Sequence, residues 1–241
     1  MRRLIIVLAL GAAPLAAQDD WTTLQQPATW LNTFVDHAVA PRTALWFDGH
    51  WRRMDLGAEP QQVLLRPGVQ VTLRDGLRAG GGYAYIATAP YGESPNPLPI
   101  REHRTWQQLV LSSAVGSGSV VQRLRLEQRW GGVVQPDGDL SPFTYQQRVR
   151  YFARAQRPLA WQPTSAGPAL GFVANEFFLP IGHDDALKRR FQNRAQVGVG
   201  IPIDARQRVE LGYLHQWSRI TSRQVHEWNH TLVLSWVWVV R

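Results

Sequence analysis

The 241-residue chain has no cysteine. That excludes a disulfide scaffold, thiolate metal sites, a cysteine nucleophile and a lipoprotein anchor, which needs a cysteine at its cleavage point. Lysine is nearly absent too: Lys188 stands alone, and the rest of the 26 Lys and Arg residues are arginine. Beyond the N-terminus no apolar run reaches the ~18 residues of a membrane helix. Mean hydropathy is only −0.25, although a transmembrane β-barrel leaves little trace in that number. What is abundant is aromatic side chains, 11 of them tryptophan, and a formal charge of +8. Such apolar and aromatic content argues against disorder.

The N-terminus reads as an address. Arg2 and Arg3 precede an apolar stretch from Leu4 to Leu10, and Leu15-Ala16-Ala17 offers small residues before Gln18. This is the pattern of a secretory signal peptide. Residues 1–17 are therefore expected to be removed, leaving 18–241 as one domain outside the cytoplasm, exported by the general secretory route.

From Gln18 onward the dominant period is two, the period of a strand. Leu45, Phe47 and Trp51 alternate with Trp46, Asp48, His50 and Arg52. Val63, Leu65, Val69, Val71 and Leu73 alternate with Arg66, Gly68, Gln70, Thr72 and Arg74. Leu124, Leu126 and Trp130 alternate with Arg123, Arg125, Glu127 and Arg129. About eleven such segments are legible, roughly 29–39, 43–53, 62–74, 77–88, 103–115, 119–130, 143–156, 166–178, 191–203, 207–218 and 228–240. Many exceed the usual 5–6 residues of a soluble strand and match the ~9–11 tilted residues that cross a bilayer. A soluble β-sandwich is the competing fold, and its strands would be shorter.

Connections alternate in this reading. Tight turns fall at 40–42, 74–76, 116–118 and 204–206, and longer polar loops near 54–61, 89–102, 131–142, 179–190 and 219–227; the connection 157–165, short by parity, is longer than the others of its class. Outer-membrane barrels pair short periplasmic turns with long external loops. Trp30, Trp51, Trp106, Trp130, Tyr145, Phe191, Trp217 and Trp228 would then collect at the external rim, with Trp236 and Trp238 near the periplasmic one. The chain ends Trp238-Val239-Val240-Arg241 rather than on the aromatic residue usual in assembly signals. An antiparallel barrel needs an even strand number, so a short first strand at Asp20–Gln26 is expected to bring the total to twelve, with ten as the alternative.

The polar faces of the middle strands are basic. Arg104, Arg123, Arg125, Arg129, Arg148, Arg150, Arg154 and Arg194 share faces by the i, i+2 rule, and the candidate counter-charges are Glu102, Glu127, Glu176 and Glu210. Three readings stand open. One is a lumenal arginine–carboxylate–glutamine network. Another is an anion-favouring pore or anion site. In the third, loop residues such as Lys188, Arg189 and Arg190 hold lipopolysaccharide phosphates. Nucleic acid is not a fitting partner for an exported barrel. Catalytic spacing is missing: His103 and Ser112 lie roughly 30 Å apart along a strand. His183-Asp184-Asp185 is a weak metal motif, and no cofactor is expected.

The blocks Glu102-His103-Arg104-x-Trp106-Gln107-Gln108 and Arg123-Leu124-Arg125-Leu126-Glu127-Gln128-Arg129, with Asn175-Glu176-x-Phe178, Gln192-Asn193-Arg194 and Glu210-Leu211-Gly212-Tyr213, resemble those of domain-of-unknown-function family 2490. That resemblance implies an exported bacterial β-barrel of the outer membrane and supplies no catalytic residue. The expectation is a monomeric, non-enzymatic barrel, structural or passively transporting, in a Gram-negative bacterium. Its partners would be outer-membrane lipids, lipopolysaccharide and, during insertion, the barrel-assembly machinery. The alternative is a lipid-binding or lipid-modifying barrel using Glu102 and His103.

Overall fold

Period-two alternation becomes a closed all-β barrel in the computed structural model, which describes residues 21–93, 96–182, 190–221 and 224–240. Residues 1–17, read from the sequence as a signal peptide, and His183-Asp184-Asp185, with Lys188 and Arg189, lie outside the described residues. Eleven strands are described: β1 Thr22–Ala40, β2 Thr43–Met54, β3 Glu59–Arg74, β4 Leu77–Thr88, β5 Ile100–Val115, β6 Gly118–Val133, β7 Thr144–Pro158, β8 Leu170–Ile181, β9 Arg190–Pro202, β10 Gln207–Ile220 and β11 Val225–Val240. No described helix is long and apolar enough to cross a membrane.

The strand number corrects the expectation of twelve. Thr22–Gln26 does not form a separate strand but opens β1, which runs for 19 residues. Closure is achieved by pairing β1 with β11 in parallel, from Thr22↔Val225 to His37↔Val240, while the other neighbours are antiparallel. An even number is required only when every ladder is antiparallel. A parallel ladder satisfies the same backbone groups at slightly lower stability per residue, and it leaves no edge.

Two of the predicted long loops are also corrected. Residues 54–61 shrink to a 3-10 turn at Asp55–Gly57, and 219–227 to a link between Ile220 and Val225, because the flanking strands run on. The connection on the tight-turn side that the sequence marks as long for its class spans 159–169, tied by Leu159 N–H to Ala169 C=O and Ala169 N–H to Trp161 C=O. The contrast between the two ends is weaker than the sequence implies. At the tight turns, Gly76 (φ +73°) and Gly116 (φ +57°) occupy the left-handed region that other residues avoid. At 203–206 the Asp204 carboxylate accepts the Arg206 and Gln207 backbone N–H groups (2.7 and 2.8 Å), which hold it below the ordinary carboxylate range.

The register sets the dimensions. Following paired residues around the wall from Ala38 through Ala44, Gln70, Gly80, Gln108, Arg125, Arg150, Phe178, Gln192, Ser218 and Glu227 returns to β1 at Leu24, 14 residues earlier. With ~3.3 Å per residue and ~4.8 Å between strands, this stagger tilts the strands by about 41° and gives a backbone radius of about 11 Å. Long side chains from opposite walls can meet across such an interior.

The two faces are sorted in the reverse of a soluble barrel. On β6, Leu124 is 50% exposed while the adjacent Arg125 and nearby Glu127 are 0% exposed. Val69, Leu109, Val197, Leu211 and Leu232 likewise stand on the outer face, whereas Gln70, Gln108, Glu210 and Asn229 are buried within. Two glycine pairs make room for inward rings. A Cβ on Gly68 would sit 2.3 Å from the Trp106 ring, and one on its partner Gly82 would sit 2.9 Å from it. Gly198 and Gly212, also paired, lie in the same way against Phe172.

The rim expectation for the tryptophans holds for one part of the set and fails for another. Trp51, Trp130, Trp217 and Trp228 lie on the outward-facing parity near strand ends, but Trp30 (3% exposed) and Trp106 (1%) point inward. Both share parity with the polar face, where aromatic rings underlie guanidinium groups, as described next.

Candidate functional site in the barrel lumen

The lumen is organised around carboxylates, each held by more than one cation or polar group. Glu102 on β5 accepts from Arg104 two residues along the same strand and from Arg129 on β6, Nε at 2.6 Å and Nη2 at 2.9 Å. Glu127 on β6 is fully buried and accepts from Arg148 Nε (3.0 Å) and Arg150 Nη1 (2.6 Å) on β7, with Arg104 Nη1 at 3.6 Å. Glu176 on β8 accepts from Arg150 Nη2 (2.7 Å) and from Arg123 Nη2 (2.9 Å) on β6. Glu210 on β10 accepts from Arg154 on β7 (2.9 and 2.8 Å) and Arg208 (2.6 Å). Because Arg123–Glu176 and Arg154–Glu210 skip over intervening strands, they brace the lumen internally as well as stapling neighbours.

All twelve residues singled out from the sequence thus face inward, spread over β5 to β10. Arg125 is set apart from the carboxylates. Its Nε and Nη2 donate to Gln108 (3.0 and 2.6 Å), and its guanidinium lies 5.1 and 4.7 Å from the Trp46 and Trp106 ring centres. Arg194 donates to Gln216 (2.9 Å) and lies near both Trp30 and Phe178.

Asp48, Arg52 and Arg66 belong to the lumen as well, although the basic faces of the middle strands do not include them. Arg66 on β3 donates to Asp48 on β2 (3.0 Å), both almost fully buried, and Arg52 lies over Trp30 at 4.0 Å. Their signal was present, since Asp48, Arg52 and Arg66 all lie on polar faces of alternating segments. What the sequence could not provide was that the wall curls round to bring β2 and β3 opposite β6 and β7.

Arginine rather than lysine suits this interior. The planar guanidinium can bind a carboxylate with two N–H groups, stack on an aromatic ring and remain charged when dry. Phe178 alone lies beneath Arg148, Arg150 and Arg194, at 4.9, 4.6 and 4.6 Å.

A cavity of about 490 Å³ occupies the lumen. It runs from Tyr91, Asn96 and Ile100, beside the 89–99 connection, down to Phe34, Arg154 and Glu210. Toward the tight-turn end the lumen is crossed by Phe172, by the Arg154–Glu210–Arg208 cluster, and by a partly exposed Arg78–Asp36 bridge (2.5 Å) between β4 and β1. Nine arginines line the cavity against four carboxylates, and Glu127, just behind the lining, pairs with Arg148 and Arg150, which leaves an excess of four positive charges among the described residues. At an effective dielectric of ~20, two like charges about 9 Å apart repel by about 2 kcal/mol. The excess is therefore substantial.

The catalytic alternative finds no assembled site. Glu102 faces the lumen and His103 faces outward, where it meets Tyr83, Tyr85 and Phe143. The wall stands between the two side chains. Among the described residues no group of three His, Asp or Glu is placed to hold a metal.

Comparison with known proteins agrees with the family resemblance. An uncharacterized protein of Methylorubrum extorquens is 29% identical over 236 residues, covering 96% of this chain and 95% of that protein. No solved structure matches. The model of the protein family of unknown function DUF2490 matches residues 28–227, most of the barrel, and the chain belongs to that family.

Proposed function

We propose that the chain is an outer-membrane β-barrel with a non-enzymatic role and an occluded, arginine-rich lumen. The observation that supports this most is the reversed sorting of the wall, with Leu124 half exposed outside and Arg125 and Glu127 fully buried inside. Leucine, valine and aromatic side chains gain nothing by facing water around a whole barrel, and contiguous exposed apolar surface of that extent marks a membrane or partner contact. In a bilayer, a closed ladder satisfies every backbone group. At a tilt of about 41°, a 12-residue strand rises about 30 Å, enough for the ~25 Å apolar band of such barrels.

The test is cell fractionation with heat-modifiable gel mobility. Recovery in the outer-membrane fraction, with a folded band that shifts on boiling, is the expected result. Recovery in the soluble periplasm would overturn the reading. The ion pairs that cross the turn end also predict no steady conductance in planar bilayers, and ohmic steps would refute the occluded lumen. With the tight turns in the periplasm, the cavity opens to the exterior. A protease-sensitive tag in the 89–99 connection should then be cut in intact cells, and resistance would reverse the orientation.

A further inference from the structure

We propose that the lumen cavity binds a small polyanion carrying two or more phosphate or carboxylate groups, and that Arg52 recognises it. This rests on the occluded-lumen reading and adds a ligand class to it.

Three observations converge on the cavity. Its volume, about 490 Å³, is that of a small-molecule site. The cationic excess is four charges, and all four lining carboxylates are already engaged by arginines, as is Glu127 behind them. Among the described residues the acidic groups therefore leave the site cationic, and such an excess in a partly enclosed cavity favours an anion from outside.

Arg52 is the third observation. It is 9% exposed, lines the cavity, and has no carboxylate within ion-pair distance among the described residues. Its Nη1 donates to the neutral Gln62 amide (2.9 Å), while its buried Nε has no hydrogen-bond partner. The guanidinium lies against the Trp30 indole at 4.0 Å, and Arg194 lies 4.8 Å from the same ring. Stacking holds the plane of a guanidinium in place and leaves its N–H edge for an oxyanion, which it binds with two parallel hydrogen bonds. One monovalent ion would leave most of the excess uncompensated, so the site fits a multivalent anion. The continuous strand ladder gives acyl chains no sideways route, so the ligand is a water-borne solute entering at the open end.

The experiment uses the full chain purified in zwitterionic detergent, titrated with sodium pyrophosphate, and in parallel with citrate, against sodium chloride at equal ionic strength. Calorimetry reads binding and tryptophan fluorescence reads Trp30. Saturable one-site binding of at least one polyanion is expected, weakened by about tenfold or more in Arg52→Gln and in Arg52→Lys, which keeps the charge but lacks the fork. Arg78→Gln, which breaks the pair with Asp36 at the turn end away from the cavity, should bind within about twofold of the native protein. Trp30→Phe should lose the fluorescence change, which assigns that signal to the ring beneath Arg52. Heat-modifiable mobility confirms that each variant is folded, and if Arg52→Gln does not fold, Arg52→Lys decides. No saturable binding of either polyanion, or Arg52 variants that bind as tightly as the native protein, would overturn the proposal. Neither result bears on membrane location, which fractionation reads separately.

Discussion

Replacing Glu127 with glutamine tests the lumen network at its most buried anion. Glu127 is 0% exposed and faces Arg148, Arg150 and Arg104. Each contact at about 4 Å between charge centres carries about 4 kcal/mol of attraction at an effective dielectric of ~20. Desolvation of the carboxylate offsets much of that sum. Removing one partner of a buried ionic cluster costs about 3–5 kcal/mol, because the remaining charges stay buried without compensation. Glutamine keeps the shape and one acceptor, so the loss reports charge rather than a cavity. The assay is reversible urea unfolding in short-chain lipid vesicles, followed by tryptophan fluorescence and the heat-modifiable band. The double variant Glu127→Gln/Arg148→Gln removes one cation along with the anion and should recover part of the loss, with a coupling of about 0.5–3 kcal/mol. A Glu127→Gln protein within about 0.5 kcal/mol of native would refute the view that this carboxylate organises the lumen.

Further outcomes follow from the wall and its turns. Leu124→Arg, on the outer face of β6, should destabilise the barrel by about 2–4 kcal/mol in vesicles; on a water-facing surface the change would stay within about 0.5 kcal/mol, and that smaller value would contradict the membrane reading. Gly82→Ala places a Cβ 2.3 Å from the Pro67 carbonyl oxygen and 2.9 Å from the Trp106 ring. It should cost about 1–3 kcal/mol and shift tryptophan emission, and an unchanged urea midpoint would show that the close approach is unimportant. Asp204, held below the ordinary carboxylate range by backbone N–H groups, favours the folded state above its unfolded pKa of about 4 and loses that contribution as pH falls through the lower folded value. Asp204→Asn should therefore narrow the stability difference between neutral and strongly acidic pH, and an unchanged difference would remove the turn from the account.

The sequence by itself determined the local order. A side-chain period of two is a property of each strand alone, so alternation located all eleven strands and placed Arg123, Arg125, Glu127, Arg148 and Arg150 on one kind of face. It could equally mark Asp48, Arg52 and Arg66, which lie on polar faces of the same quality. Tertiary structure decided whatever depends on pairing across long separations. The parallel closure of β1 on β11 made eleven strands sufficient where antiparallel parity asked for twelve. The stagger of 14 residues decided which charges meet across the lumen, as in Arg154 with Glu210. The inward turn of Trp30 and Trp106 became intelligible only beside the guanidinium groups and glycines that receive them. Periodicity assigns a side chain to a face, whereas its partner depends on register and shear, which are fixed only when the sheet closes.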